Sequence, residues 1–158
     1  QRIKYLVLDV DGVFTDGAVY YDSEGELAKR FDMRDGMGLE IMREQDIEVV
    51  IMTSEDSALV RKRMEKLKIQ HLFLGAKDKY SLLEDFIAKQ GCERSQIAYV
   101  GVDVNDLANL CSVGWSFAPR NATNSVLPYV DIVLSKDSGN GAIREASERL
   151  LIYNKRTF

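Results

Sequence analysis

The stretch IKYLVLDVDGVFTDG, residues 3–17, joins a short apolar run to a loop rich in aspartate and glycine. The run Ile3–Asp9 is apolar and β-branched, which is typical of a strand that is buried on both faces of a parallel sheet. Asp9 ends this run, and Asp11 and Asp16 follow it. Doubly wound sheets bind their ligands beyond the carboxyl ends of the strands. The stretch therefore predicts the first strand of such a sheet together with part of a site.

The rest of the chain repeats this pattern, because short apolar runs alternate with stretches of helical spacing. Further strands are predicted at residues 47–53, 71–75, 97–101, 115–118 and 131–134, and helices at 35–45, 57–68, 78–91, 105–111, 122–130 and 140–154. This alternation predicts an α/β fold, a Rossmann-like three-layer parallel sheet with helices on both faces. The length is that of one domain, which we assign to residues 1–158.

One segment breaks the alternation. Residues 18–31, AVYYDSEGELAKRF, predict a β-hairpin with its turn at Asp22–Gly25, since aspartate, serine and glycine are turn residues. A protruding hairpin would expose the apolar side chains Val19, Tyr20, Tyr21 and Phe31. We therefore expect it to make a subunit contact; the alternative is a hairpin that packs back on its own domain.

Composition excludes several classes of function. The net charge of −4 argues against a nucleic-acid partner, and no apolar run approaches the roughly 20 residues that span a bilayer. The run Tyr5–Val10 is too short for a signal peptide and carries an aspartate, so a cytoplasmic location is expected. Cys92 and Cys111 lack metal-type spacing and are interpreted as reduced thiols. The only histidine, His71, is interpreted as structural, which leaves acid–base chemistry to carboxylates or lysine.

Polar side chains stand at the predicted strand ends, where a ligand would bind. After strands one to four they are Asp9 and Asp11; Thr53, Ser54 and Glu55; Lys79; and Asp103, Asn105 and Asp106. Aspartate and glycine after a strand are common turn residues, and a lone D-x-D is a weak signal. Four such elements in order, each at a strand end, are much harder to reach by chance.

These residue types suit phosphoryl transfer to a carboxylate. Asp9 can attack phosphorus and form an acyl phosphate. Asp11, two residues on, can protonate the leaving alkoxide and then deprotonate the attacking water. The hydroxyl of Thr53 and the ammonium of Lys79 can hold the phosphoryl oxygens. Mg²⁺ prefers hard oxygen ligands of the kind that these loops supply.

The same residues carry a resemblance to a known family. Residues 9–17, DVDGVFTDG, resemble the first motif of the haloacid dehalogenase (HAD) superfamily phosphatases, Thr53 the second, Lys79 the third and GVDVND, residues 101–106, the fourth. Residues 138–145, SGNGAIRE, resemble the tail of one cap-free subfamily. That subfamily comprises 3-deoxy-manno-octulosonate (Kdo) 8-phosphate phosphatase, the phosphatase of the nine-carbon ulosonate (KDN) 9-phosphate, and the C-terminal domain of animal acylneuraminate cytidylyltransferases.

The resemblance implies substrate-binding residues and an assembly. The substrate-selecting residues of the KDN 9-phosphate enzyme would correspond to Glu55, Arg63 and Lys66. Arg63 and Lys66 share a helix face, where a cationic pair could bind a sugar-acid carboxylate; the alternative is a solvated basic face. The resemblance also implies a homotetramer, in which the hairpin and the C-terminal tail of one subunit help to close a neighbour's site.

The fourth motif departs from the family pattern at Val102, where the resemblance implies a third magnesium-ligating aspartate. An isopropyl group cannot coordinate a cation. The metal ligands predicted for this chain are therefore the Asp9 carboxylate and the Asp11 backbone carbonyl, together with Asp103 or Asp106. Mg²⁺ tolerates few protein ligands because it retains several waters, but the loss of one charged ligand should weaken its binding.

Three explanations of Val102 are open. The chain can be a working phosphatase with a modified site, a domain that has lost catalysis and serves as an oligomerising or regulatory module, or a deliberately altered or excised piece, since it begins at Gln1. Asp9, Asp11, Thr53 and Lys79 are all present. We favour a Mg²⁺-dependent phosphatase of a phosphorylated ulosonic, sialic-type sugar acid. The alternative is a tetramerisation or regulatory domain of an acylneuraminate cytidylyltransferase.

Overall fold

The first apolar run forms strand β1, Tyr5–Leu8, at the centre of the sheet. The computed structural model describes residues 2–156, and of residue 156 only the backbone. The remaining strands and α-helices are β2 (Tyr20–Asp22), β3 (Gly25–Ala28), α1 (Met33–Glu44), β4 (Glu48–Met52), α2 (Ala58–Lys66), β5 (His71–Phe73), α3 (Lys79–Gln90), β6 (Ile97–Val100), α4 (Leu107–Leu110), β7 (Trp115–Ala118), β8 (Ile132–Val133) and α5 (Ala142–Arg156). Three 3₁₀ turns lie at Arg94–Gln96, Val104–Asp106 and Leu127–Tyr129.

Six parallel strands form the main sheet in the order β5-β4-β1-β6-β7-β8. Because β1 pairs with both β4 and β6, the order reverses direction beside β1, which places the loops after these three strands side by side. Alternate residues of β1 enter two separate cores. Leu6 and Leu8 pack with side chains of α1, α2 and α5, whereas Tyr5 and Val7 pack with side chains of α3 and α4. The predicted α/β fold with both faces covered is confirmed.

The last helix closes the structure onto its first strand. Asn154 of α5 is buried, and its side-chain carbonyl accepts a hydrogen bond of 2.9 Å from the backbone N–H of Ile3. Its amide nitrogen donates to the backbone carbonyl of Ile3, also at 2.9 Å. One side chain therefore satisfies both backbone polar groups of the residue that leads into β1, which explains how this buried chain end avoids unpaired polar atoms.

The predicted helix at residues 122–130 is wrong, because only the 3₁₀ turn at Leu127–Tyr129 forms there. The hydroxyl of Thr123 donates to the carbonyl of Val102 and contacts the hydroxyl of Ser125, so that side-chain hydrogen bonds compete with a helical turn. Pro128 has no N–H to donate and cannot continue a helix. The other predicted helices are present, and Gly91 ends α3 with a φ of 66°. Among the described residues, no helix combines the length and the apolar character that crossing a membrane requires.

Candidate active site

The loop after β1 is a tight, backbone-bonded turn. The carbonyl of Val10 accepts hydrogen bonds from the backbone N–H groups of residues 13–15, at 3.1, 2.8 and 3.1 Å. The buried hydroxyl of Thr15 accepts a further bond of 3.1 Å from the N–H of Gly17. These bonds within the loop hold Asp9 and Asp11 at the carboxyl edge of the sheet.

A cleft of about 320 Å³ opens at this edge. Its walls come from the loops after β1, β4 and β6, and the lining residues are Asp9, Asp11, Thr53, Ser54, Glu55, Val102, Asp103, Val104 and Asn105. The structure therefore brings the predicted residues of the first, second and fourth motifs into one cavity.

Lys79 lies at the floor of the site. Its side chain is fully buried, and its Nζ lies 3.0 Å from Oδ2 of Asp9 and 3.0 Å from Oδ1 of Asp106. The carbonyl of Lys79 accepts a hydrogen bond of 3.0 Å from the side-chain amide of Asn109. One buried cation thus joins two carboxylates that would otherwise repel each other in a medium of low dielectric constant.

Asp106 is anchored by protein groups on both oxygens. Its Oδ1 also accepts a bond of 2.8 Å from the hydroxyl of Tyr99, and its Oδ2 accepts one of 3.0 Å from the N–H of Val102. A Cβ on Gly101 would come within 2.6 Å of the Cβ of Asp106, so only glycine at position 101 lets this carboxylate tuck under the end of β6. The arrangement makes Asp106 a support for Lys79, and its assignment as a metal ligand stays a prediction.

The ionisation of these groups follows from their burial and their neighbours. Burial raises the pKa of Asp9 to about 6; the charge of Asp106 acts in the same direction and that of Lys79 opposes it. Burial alone would lower the pKa of Lys79, but the charges of Asp106 and Asp9 outweigh it and the pKa is raised. Burial, with the charge of Asp106, also raises the pKa of Tyr99 well above its ordinary value, so its hydroxyl remains a donor. Lys79 is therefore a cation, positioned to hold an anionic group beside Asp9.

Thr53 is buried and its backbone is held on both sides. Its N–H donates to the carbonyl of Phe73 at 3.1 Å, and its carbonyl accepts from the N–H of Ala76 at 2.8 Å. This leaves the side chain to line the cleft beside Asp9. A fixed hydroxyl at this place can bind a phosphoryl oxygen.

Asp11 is held from outside its own loop. Its Oδ1 accepts a bond of 2.8 Å from the Nζ of Lys29, a residue of the hairpin. Lys29 also lies 3.4 Å from a carboxylate oxygen of Glu26, and Glu26 accepts a hydrogen bond from the hydroxyl of Ser57. The hairpin predicted at residues 18–31 is present as β2 and β3, and these bonds attach it to its own domain.

The three predicted substrate-binding residues are separated within one chain. Glu55 lines the cleft that contains Asp9. Arg63 and Lys66 instead line a second groove, of about 510 Å³, between α1 and α2. Arg63 lies over the ring of Phe31, with its Cζ 5.7 Å from the ring centroid. The binding role of Arg63 and Lys66 stays a prediction.

The donor set for a metal ion is small. Among residues 2–156, no three His, Cys, Asp or Glu side chains form a group that could hold a metal ion. Val102, at the position where the resemblance implies a third ligand, has a side chain that packs toward Gly12 and into both cores. Asp103 is exposed and accepts a bond of 2.7 Å from the N–H of Val104. The carboxylate of Asp9 and the backbone carbonyl of Asp11 remain, and these two oxygen donors with phosphate and water are a set that suits Mg²⁺.

Sequence reasoning missed several supporting residues. Lys29, Tyr99 and Asn109 contact Asp11, Asp106 and Lys79 respectively. A tyrosine within the apolar run of β6 is a weak signal of a buried hydroxyl that needs a partner. No local pattern marks Lys29, because its contact spans 18 residues and depends on how the hairpin folds back.

Comparison with known proteins identifies close relatives along almost the whole chain. The 3-deoxy-D-manno-octulosonate 8-phosphate phosphatase KdsC of Haemophilus influenzae is 40% identical over 151 residues, which are 96% of this chain and 84% of that protein. The enzyme of the same name from Escherichia coli K12 is 38% identical over 152 residues, 96% of this chain and 81% of that protein. No protein-family model matches the chain.

Solved structures agree with these relatives. The cobalt-bound deoxy-D-mannose-octulosonate 8-phosphate phosphatase of H. influenzae superposes with a TM-score of 0.93 at 38% identity, over 99% of this chain and 91% of that one. The 3-deoxy-D-manno-octulosonate 8-phosphate phosphatase of Moraxella catarrhalis, in complex with magnesium, phosphate and KDO, has a TM-score of 0.93 at 35% identity, over 97% and 88%.

The fold, the aspartate cleft and the buried lysine together define a hydrolase of the HAD superfamily that acts on phosphoric monoesters. Within that class, the chain belongs to the family of 3-deoxy-D-manno-octulosonate 8-phosphate phosphatases. The resemblance inferred from the four motifs and the tail is confirmed.

Proposed function

We propose that the chain hydrolyses a phosphorylated ulosonic sugar acid of the 3-deoxy-octulosonate 8-phosphate type, with Mg²⁺ and through an aspartyl-phosphate on Asp9. One observation carries the proposal: Asp9 lines a cleft, with the buried ammonium of Lys79 at 3.0 Å from its carboxylate. The names of the relatives, at 36–40% identity, support the substrate class.

The first half-reaction transfers the phosphoryl group to the protein. A carboxylate oxygen of Asp9 attacks phosphorus, the bond from phosphorus to the sugar oxygen breaks, and the leaving alkoxide takes a proton from Asp11. Lys79 and Thr53 hold the phosphoryl oxygens and match the charge that develops on them. The products of this step are the free sugar acid and an acyl phosphate on Asp9.

The second half-reaction restores the carboxylate. Asp11, now ionised, removes a proton from a water molecule whose oxygen attacks phosphorus. The bond from phosphorus to Asp9 breaks, and inorganic phosphate is released. Asp11 ends protonated, ready to serve the next substrate, so protons and charges balance over the cycle.

The carboxylate of Asp9 and the backbone carbonyl of Asp11 would hold Mg²⁺, which would supply positive charge against the phosphoryl oxygens. Asp103 is a further carboxylate of the cleft, and a shift of its loop by one residue would be needed for it to coordinate the ion. This small donor set is the observation that favours the alternative, a catalytically impaired oligomerising domain. Against it, Asp9, Asp11, Thr53 and Lys79 all lie in or directly beneath one cleft.

The proposed assembly is a homotetramer. The hairpin presents exposed apolar side chains, and Arg63 and Lys66 lie outside the cleft of their own chain. An arrangement in which neighbouring subunits complete each other's sites accounts for both observations.

Phosphate release with excess Mg²⁺ tests the proposal. We expect octulosonate 8-phosphate to be hydrolysed faster than KDN 9-phosphate, and Asp9→Asn to abolish turnover of both. Trapping of radiolabelled phosphate on the protein after acid quench should be lost in the same variant. Turnover that survives Asp9→Asn would show that the nucleophile lies elsewhere, and a chain that is silent with and without Val102→Asp would support the non-catalytic alternative.

A further inference from the structure

Lys29 is a buried cation in a part of the chain that carries none of the family motifs. It follows β3 directly, and its side chain is only 1% exposed although the hairpin itself lies at the surface. Its Nζ lies 2.8 Å from Oδ1 of Asp11. This short, charge-assisted contact joins the hairpin to the residue to which we assign acid–base chemistry.

The surroundings of Lys29 keep it charged and fix its position. Burial alone would lower its pKa, but the hydrogen bond and charge of Asp11, with the charge of Glu26, outweigh burial and raise it. Glu26 is tied in turn to the hydroxyl of Ser57, which caps the first turn of α2. The ammonium is therefore held between two carboxylates by groups from two separate elements.

Attachment of the hairpin does not require the contact between Lys29 and Asp11. Arg30 donates a bond of 3.0 Å to the carbonyl of Gly139, and the contact of Glu26 with Ser57 secures the other edge. Because these two contacts already attach the hairpin, the pairing of the buried Lys29 ammonium with Asp11 can serve a purpose besides attachment. The purpose that the geometry offers is control of the Asp11 carboxylate.

We propose that Lys29 is a positioning residue that holds one oxygen of Asp11 and thereby directs the other toward the oxygen of the leaving group. The inference rests on the proposed acid–base function of Asp11. Without the ammonium, Asp11 loses its partner, and its carboxyl group is free to rotate away from the reacting atoms.

This role predicts a dependence on the leaving group. The alkoxide of a sugar needs a proton as it leaves, whereas an aryl oxide such as 4-nitrophenolate leaves as a stable anion. The value of kcat/KM reports the reaction through the first phosphoryl transfer. A misplaced acid should therefore lower kcat/KM for the sugar ester and spare the aryl ester, while a damaged fold should lower both.

The experiment compares Lys29→Met, Lys29→Gln and Lys29→Arg with the original chain, using octulosonate 8-phosphate and 4-nitrophenyl phosphate. We expect Lys29→Met and Lys29→Gln to lower kcat/KM for the sugar ester by at least about tenfold, within the range of general acid catalysis, and that for the aryl ester by less than about threefold. Lys29→Arg, which keeps the charge, should restore most of the loss. Lys89→Met, at an exposed lysine of α3, is the matched control and should change neither value.

Equal losses with both esters, or no loss with either, would overturn the role of Lys29. Asp11→Asn is measured beside it: a loss confined to the sugar ester in Asp11→Asn but absent in Lys29→Met refutes only the positioning role. All variants are also made with Val102→Asp, so that the comparison survives weak metal binding. Turnover that persists in Asp9→Asn, or a chain silent in both backgrounds, instead refutes the proposed function and the role of Lys29 with it.

Discussion

At the residue scale, Val102 is the position at which the site differs most from the predicted metal-binding pattern. Its side chain packs between Gly12 and the two cores, at the position where the sequence resemblance predicts a carboxylate. Asp106 cannot replace that carboxylate without giving up its bonds to Lys79, Tyr99 and the backbone. The site is consequently built for phosphoryl transfer but with few ligands for the cation.

We predict that Val102→Asp strengthens Mg²⁺ binding by at least about tenfold, because it adds a charged oxygen ligand to a site that has few. Isothermal titration of the protein with Mg²⁺ measures this directly, and the Mg²⁺ dependence of phosphate release provides a second readout. Val104→Asp is the matched control, since Val104 is 63% exposed on the same loop. If both variants strengthen binding equally, added negative charge rather than coordination is responsible.

The residues that sequence reasoning located are those at strand ends. Asp9, Thr53 and Asp103 converge because β1, β4 and β6 are parallel neighbours, and the alternation of strands with helices predicts such a sheet. Lys29 and Tyr99 could not be located in this way. Their importance depends on contacts across the fold that no spacing encodes.

At the element scale, the SGNG segment before α5 is pressed against the loop that carries Asp9 and Asp11. Gly139 has a φ of +69°, and a Cβ there would come within 2.5 Å of the backbone nitrogen of Asp16 and 2.8 Å of the carbonyl carbon of Thr15. The family-specific tail and the first motif are therefore in backbone contact, which explains why a side chain is excluded at position 139.

We predict that Gly139→Ala destabilises the protein by about 2 kcal/mol or more, since it adds a steric clash to the strain of a positive φ. Gly75→Ala is the matched control, because Gly75 has the same φ of +69° and no atom within 4 Å of the added Cβ. Urea unfolding measures both changes. An equal loss of unfolding free energy in the two variants would contradict the prediction, because it would show that the neighbouring loop moves aside without further destabilisation.

Asp35 connects α1 to the start of α5. It is fully buried, its Oδ1 accepts a bond of 3.1 Å from the N–H of Arg144, and its Oδ2 has no hydrogen-bond partner among the described residues. Burial raises the pKa of Asp35; the nearby charge of Asp32 adds to the rise, while the backbone N–H of Arg144 and the charge of Arg34 oppose it. The folded protein thus retains a proton on Asp35 at a pH where the unfolded chain has lost it.

Because the folded state binds the extra proton, Asp35 lowers stability as pH rises from its ordinary pKa through its raised one. Asp35→Asn removes this pH-dependent loss of stability, because the amide does not titrate. We therefore predict that the unfolding free energy of the variant, relative to the original chain, increases as the pH rises from the ordinary pKa of an aspartate, about 4, through the raised pKa of Asp35, by no more than about 1.4 kcal/mol per pH unit. Urea unfolding across this range measures it, and a constant difference would show that Asp35 titrates normally.

The elements that sequence reasoning misjudged were decided by side-chain hydrogen bonds. The helical spacing of residues 122–130 is real, but the Thr123 hydroxyl bonds to the carbonyl of Val102 and to the hydroxyl of Ser125, and Pro128 cannot donate a helical hydrogen bond. The hairpin was predicted correctly from its turn residues. The exposed apolar side chains favoured a subunit contact, and attachment of the hairpin to its own domain was the alternative. The buried Lys29 provides that attachment.

At the scale of the whole molecule, one surface of the hairpin is apolar and uncovered within the chain. Tyr20, Tyr21 and Leu27 are 58%, 68% and 58% exposed. The inner side of the same hairpin is bound to Asp11 and Ser57. The hairpin can therefore serve its own site with one side and a neighbouring subunit with the other.

We predict that replacing both Tyr20 and Tyr21 by glutamate converts a tetramer into smaller species, because buried like charges oppose association. Size-exclusion chromatography with light scattering measures the mass. Tyr129→Glu is the matched control, since Tyr129 is 59% exposed on a turn remote in sequence from the hairpin, and it should leave the mass unchanged. A monomeric original chain would contradict the predicted assembly.

The pairing of Asn154 with Ile3 has a consequence for synthesis. A ribosome that has just added Gly141 has made all eight strands, yet the nascent polypeptide still lacks α5 and the amide that satisfies the start of β1. One face of the sheet stays uncovered until α5 has left the exit tunnel. We expect the native state to be reached only after residues 142–156 have emerged, and a chain stalled before Asn154 to be a substrate for chaperones and proteases.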